Sequence, residues 1–199
     1  MQRRAVILSL AVVMLLLAAC SQSNPASETP EIVKIGDSCL VGIWELATPE
    51  PYLRAAIPVG AVDPTALNFV ASNGKLAYKL DEDGTLLVQA LDLQGRFILN
   101  TEDQGRLGLE VYITGYARAG FSQQDDVLKG ESIDNFETIS FAAYLDKELM
   151  MESKFGVEFL PLFVQPNNSA RYICTKEDLS LELLNMPSVN EPIVFKRVE

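Results

Sequence analysis

Apolar and polar residues alternate with a period of two along most of the chain beyond residue 39. Leu107, Leu109, Val111 and Ile113 take every second position, and Gly108, Glu110, Tyr112, Thr114, Tyr116 and Arg118 the intervening ones through Arg118. Such alternation predicts a strand with one buried face and one wet face. The same pattern runs through Leu76, Tyr78 and Leu80, and through Ile139, Phe141, Ala143 and Leu145. It recurs in Leu149, Met151, Phe155, Val157 and Phe159, and in Leu179, Leu181 and Leu183.

Turn residues punctuate these runs. Asp81-Glu82-Asp83-Gly84 predicts a hairpin whose glycine takes positive φ. Gln94-Gly95-Arg96 and Gln104-Gly105-Arg106 predict two successive hairpin turns, and Asp146-Lys147-Glu148 and Asn167-Asn168-Ser169 two more. Residues 115–134, with Phe121, Asp125 and Asp126, read as a long polar loop that rigid strands would present. Thr48-Pro49-Glu50-Pro51 followed by Tyr52-Leu53-Arg54-Ala55-Ala56 predicts a short helix, capped by Thr48 and ended by Pro58. About eight to ten strands and one short helix make an all-β chain, either an antiparallel barrel or a closed sandwich.

The first twenty residues follow different rules. Arg3 and Arg4 precede an apolar run over residues 5–17, too short for the roughly 20 residues that cross a bilayer as a helix. This is the layout of a secretory signal peptide. Its ending, Leu17-Ala18-Ala19-Cys20, resembles the bacterial lipobox. That resemblance implies cleavage before Cys20 and lipidation of its sulfur by a diacylglyceryl group with further acylation (palmitate-type chains). Each buried CH₂ contributes about 0.8 kcal/mol, so two or three chains hold where one would not. Residues 1–19 are then the signal and residues 20–34 a polar tether carrying Pro25 and Pro30. Residues 35–199 are the folded domain. Localisation follows: a cell or outer membrane, with the domain facing the periplasm or the exterior.

Charge narrows the partners. The formal net charge is −11, which disfavours any partner held through phosphate contacts, so no nucleic acid is expected. There is no histidine, which excludes Ser-His-Asp and Cys-His catalysis and His-ligated metal sites. No nucleophile elbow surrounds Ser38, Ser140 or Ser153, and no glycine-rich phosphate cradle is present. Asp81-Glu82-Asp83-Gly84 begins like a calcium loop but lacks its distal glutamate. No catalytic residue, metal or cofactor is therefore expected.

With Cys20 lipidated, Cys39 and Cys174 remain. In an oxidising compartment an even pair most simply forms a disulfide; the redox or metal alternative lacks a Cys-x-x-Cys spacing and further ligands. Such a bridge would close nearly the whole domain into a loop, for roughly 5 kcal/mol at most.

Gly42-Ile43-Trp44 in the first strand and Phe195-Lys196-Arg197 in the last look like the two ends of the bacterial lipocalin-like domain of small secreted lipoproteins. Tyr172-Ile173-Cys174-Thr175 followed by Asp178-Leu179-Ser180-Leu181 resembles that family's penultimate hairpin. The resemblance implies barrel closure by Gly42, Trp44 and Arg197, with the Arg197 guanidinium stacked on the Trp44 ring. Trp44 as an ordinary core aromatic is the alternative. It also implies a small apolar ligand in the barrel, with Phe141, Met151, Phe155 and Phe159 as candidate lining residues; simple core packing is the competing reading. A second function is a structural or interaction lipoprotein that meets another envelope protein through its loops.

Overall fold

The computed structural model describes residues 37–57, 63, 66–101, 105–133, 140–153, 160–161, 169–184, 186 and 189–198. Cys20, Phe155 and Phe159, and also Pro58, Asn167 and Asn168, lie outside the described residues. The chain runs β1 (Gly42–Leu46), α1 (Pro49–Ala56), β2 (Leu67–Leu80), β3 (Thr85–Thr101), β4 (Gly105–Gln124), β5 (Val127–Ile133), β6 (Ser140–Leu145), β7 (Glu148–Ser153), β8 (Ser169–Cys174), β9 (Asp178–Leu183) and β10 (Ile193–Arg197).

Eight of these strands close on themselves. The antiparallel ring runs β1–β2–β3–β4–β5–β8–β9–β10 and back to β1. The β6–β7 hairpin adds two strands outside the ring, joined to the first half of β4. This is a closed antiparallel eight-stranded barrel with two extra strands and one short helix. Inward positions are filled by the alternating apolar residues: Leu76, Tyr78 and Leu80 on β2, Leu86 and Val88 on β3, Ala117, Ala119 and Phe121 on β4, Leu179 and Leu181 on β9. Outward positions carry ion pairs, among them Lys75–Glu45, Lys79–Asp81 and Arg171–Glu182. The barrel therefore turns its apolar face inward and a charged face to water.

Three long strands outgrow the ring, and a line of irregular positions marks where they leave it. β2 shifts register around Gly74 (φ +80), β3 around Asp92 (φ +49), and β4 passes through Gly115 (φ +112). These positions are neighbours across the sheet: Asn73 pairs with Gln94, Lys75 with Leu91 and Ala90 with Gly115. A side chain at Gly74 would run into the Asp92 carbonyl, so glycine is required there. The extra residue of the bulge lies on β3, and Gly74 and Gly115 stand beside it on the two flanking strands, so the sheet bends at one level. Beyond the bend lies an open extension of β2, β3, β4, β6 and β7.

Several expectations need correction. Gln94-Gly95-Arg96 is no turn but the middle of β3. The glycine answers a packing need: a Cβ on Gly95 would sit 2.6 Å from Leu53 Cδ1 of α1. Residues 115–134 form no loop over their described part; they continue β4, turn at Asp125-Asp126 and return as β5, with Phe121 buried inside. Thr48 does not cap α1 with its side chain. Its Oγ1 accepts the Val194 N–H at 2.6 Å, tying the helix start to β10. Leu149 does not share a buried face with Met151. The β6–β7 pairing skips Met150, with Ala143 opposite Met151 and Tyr144 opposite Leu149, so Leu149 emerges to solvent.

Candidate functional site

Three places bring chemistry-bearing residues together, and the first is the base of the barrel. The β2–β3, β4–β5 and β8–β9 turns share this end with the start of β1 and the finish of β10. Cys39 and Cys174 are joined by a disulfide across it, with Cα atoms 6.1 Å apart and a sequence separation of 135. Trp44 and Arg197 are direct cross-strand partners and so share the inner face. The Arg197 guanidinium carbon lies 4.1 Å from the Trp44 ring centroid. Its three nitrogens donate to the carbonyls of Val41 (2.9 Å), Cys39 (2.5 Å) and Lys176 (2.9 Å). The indole Nε1 donates to the Leu40 carbonyl at 2.8 Å. Gly42 holds φ +145, and a Cβ there would collide with the Arg197 guanidinium. The Gly-x-Trp spacing thus leaves room for the cation as well as allowing the backbone conformation.

Beside this clasp, a polar network fixes the first described residues. Tyr172 Oη donates to Asp37 Oδ2 (3.1 Å) and accepts from Gln123 Nε2 (2.7 Å), while Gln123 Oε1 accepts the Asp37 N–H (3.1 Å). Burial, with the adjacent Asp37 carboxylate, pushes the Tyr172 phenol up to about 12. These groups hold Asp37 to β4 and β8; they are architecture.

The second place is the barrel interior at the opposite end, where α1 packs against β2, β3 and β10. Tyr52 from α1 descends between Tyr78 and Phe195. The Tyr78 and Phe195 rings stack at 4.7 Å, and Tyr52 meets both edge-on at 6.2 and 6.4 Å. The two hydroxyls are 3.1 Å apart, and Tyr78 Oη lies 3.4 Å from the Pro161 carbonyl oxygen. Burial raises both phenols above their ordinary range. These interior aromatics touch one another, so the volume a ligand would need here is occupied by side chains.

The ligand-lining candidates stand elsewhere. Phe141 on β6 is fully buried and Met151 on β7 partly so, and both strands are outside the ring.

The third place is a groove of about 500 Å³ on the outer side of the extension, lined by Arg96, Ile98, Arg106, Leu107, Gly108 and Glu110, with Asp146 and Lys147 from the β6–β7 turn. That turn uses positive φ at Asp146 (+47) and Lys147 (+71), and it folds against Gly108: Asp146 Oδ1 accepts the Gly108 N–H at 2.8 Å. Arg96 donates twice to Glu110 Oε1 (2.8 and 3.1 Å), and Tyr112 Oη donates to Glu110 Oε2 at 2.8 Å. Arg96 and Tyr112 hold the Glu110 carboxyl below the usual carboxylate range. Sequence reading missed this groove, because Arg106 on β4 and Lys147 in the β6–β7 turn are brought to one place only by the β4–β6 register.

Among the described residues, no three Cys, Asp or Glu side chains converge on a metal position, and no helix is long and apolar enough to cross a membrane. No family model matches the chain, and neither does any curated protein or solved structure.

Proposed function

We propose that this chain is a membrane-anchored extracytoplasmic lipoprotein, held through Cys20, that binds a small and largely apolar ligand on its barrel scaffold. The anchoring rests on Arg3 and Arg4, the apolar run over residues 5–17 and Leu17-Ala18-Ala19-Cys20. The observation that carries the binding half is the outer groove, whose volume falls within the ~300–1,000 Å³ of small-molecule sites. Ile98 supplies an apolar side chain to it, on the face shared with Gly108. The barrel lumen is a poorer host, since Tyr52, Tyr78 and Phe195 already contact one another there. The reading gives the barrel no catalytic duty.

Native mass spectrometry of the protein after gentle extraction, compared with the same protein stripped by organic solvent, tests the binding half. A recurrent small mass lost on stripping is expected; identical spectra would sink it.

One observation favours a second reading, contact with another envelope protein. Ile43, Leu87, Leu91 and Tyr116 are exposed apolar residues on the outer faces of β1, β3 and β4, with Leu91 55% and Tyr116 53% exposed. A photo-crosslinker placed at Tyr116 in living cells should give one discrete adduct under this reading, and none under the first.

A further inference from the structure

We propose that the ligand of the outer groove is an anionic single-chain amphiphile whose negatively charged head, a carboxylate or a phosphate ester, is held by Arg106 and Lys147. The proposal rests on the small-ligand reading above and adds the chemical class.

Charge bookkeeping in the groove points to an anion. Three cations and two carboxylates line it. Glu110 is committed to Arg96 and Tyr112, and Asp146 accepts the Gly108 amide. Arg106 and Lys147 form no ion pair among the described residues, although the chain as a whole carries a net charge of −11. Two exposed cations outside any ion pair among the described residues, Lys147 within the field of Glu110, stand at the wall of a concavity on an acidic protein and form a local site of opposite sign.

The floor supplies the second argument. Gly108 lies inside β4, where glycine costs roughly 0.5–1 kcal/mol relative to alanine. Neither backbone nor packing demands it. Its φ lies outside the left-handed region, and a Cβ would meet only Asp146 Oδ1, at an ordinary 3.7 Å. Glycine within a strand often marks a place where another group approaches the backbone closely; the β6–β7 turn does so at Gly108 through the Asp146 amide and carboxylate, and the groove opens beside it. Ile98, paired with Gly108 across the strands, gives that approach an apolar side chain, which suits a hydrocarbon chain behind the charged head.

The test uses the full chain carrying Cys20→Ser, titrated calorimetrically below micellar concentrations with dodecanoate, dodecyl phosphate, dodecanol and inorganic phosphate. Dodecanoate or dodecyl phosphate should bind at least tenfold more tightly than dodecanol, and inorganic phosphate should not bind measurably. Reversing both charges (Arg106→Glu with Lys147→Glu) should weaken the anionic amphiphile about tenfold or more while leaving dodecanol unchanged, as two attractions become repulsions. Gly108→Ala should weaken both chains severalfold without lowering the unfolding temperature. Equal binding of dodecanol and dodecanoate would overturn the anionic assignment and leave the apolar-ligand reading standing. Inorganic phosphate binding as tightly as dodecyl phosphate would overturn it in favour of a bare anion site. Binding of neither amphiphile would remove both.

Discussion

Replacing Arg197 with alanine removes one cation that bridges three parts of the base. The stack on Trp44, with the guanidinium carbon 4.1 Å from the ring centroid, contributes about 1–2 kcal/mol for a partly desolvated pair. The bonds to the Val41, Cys39 and Lys176 carbonyls would each contribute about 1.5–3 kcal/mol if fully buried. Arg197 is only half-buried, so water replaces much of what is lost, and we allow about 2 kcal/mol for the three together. The expected destabilisation is about 3–4 kcal/mol, a fall in unfolding temperature of roughly 10 °C for a domain of this size. Arg197→Lys keeps a charge near the ring but loses the planar fork, and should recover less than half of the deficit.

The chain offers its own reporter. Trp44 is the single tryptophan, so urea unfolding followed by its fluorescence reads the clasp directly. Gly42→Ala sharpens the experiment, because in the native background it adds backbone strain at φ +145 and drives a methyl group into the guanidinium. With Arg197 already removed, only the strain is left, so the double variant should be less destabilised than the two single costs added. Additive costs, or an Arg197→Ala penalty below about 1 kcal/mol, would refute the idea that glycine, indole and guanidinium act as one unit.

Three further outcomes follow from other parts of the molecule. Replacing Cys39 and Cys174 with serine should cost about 2–5 kcal/mol, measured by denaturant midpoint, since the bridge closes a loop of 135 residues; an unchanged midpoint would show that the ends stay together without it. Gly95→Ala should destabilise by about 1–3 kcal/mol through overlap with Leu53, and shortening Leu53 to alanine in the same chain should relieve part of that cost. Burial raises the Tyr52, Tyr78 and Tyr172 phenols, so the native state prefers the protonated forms. Their contribution is complete below pH ~10 and is lost as pH rises through the raised values, at up to about 1.4 kcal/mol per pH unit for each phenol. Tyr78→Phe should therefore flatten the alkaline loss of stability between pH 10 and 12 relative to the unsubstituted chain.

Strand identity was legible because one face of each strand is buried, which writes a period of two into Leu76–Leu80, Leu107–Ile113 and Leu179–Leu183. The staple was legible because, once Cys20 is read as lipidated, Cys39 and Cys174 are the two cysteines that remain. What escaped depends on partners distant in sequence. Gly95 read as a turn because glycine's commonest local reason is positive φ, whereas its reason here is the methyl group of Leu53 on α1. Met150 looks like one more member of an alternating run, yet the β6–β7 pairing skips it and sends Leu149 outward. Thr48 has the side chain and position of a helix cap, but the Val194 amide competes for its oxygen and wins at 2.6 Å. Residues 115–134 read as a polar loop, although Phe121 and Ala119 fill the barrel from that stretch. Arg106 and Lys147 meet only through the register that sets Leu109 opposite Leu145.

The partner switch along β4 explains why the protein has both a sealed part and an open one. β3 pairs along nearly the full length of one side of β4. On the other side, Leu109 to Thr114 pair with β6, and Ala119 to Gln124 pair with β5. One flank can hold only one neighbour at a time, so residues 115–118 must carry the handover, and the bend at Gly115 falls within them. The bulge at Asp92 lies directly alongside, where Thr114 Oγ1 donates to Asp92 Oδ1 at 3.0 Å and fixes the kink. Below this level the inner face closes on Trp44, Phe121 and Tyr78 and is consumed by packing. Above it, β3 and β4 leave the ring with α1 on one side, where Leu53 meets Gly95, and the groove of Arg106, Gly108 and Lys147 on the other. Straightening the bend, by giving Gly115 a β-branched side chain that cannot hold φ +112, should therefore cost β4 its division between β5 and β6 and disturb the groove and the ring together.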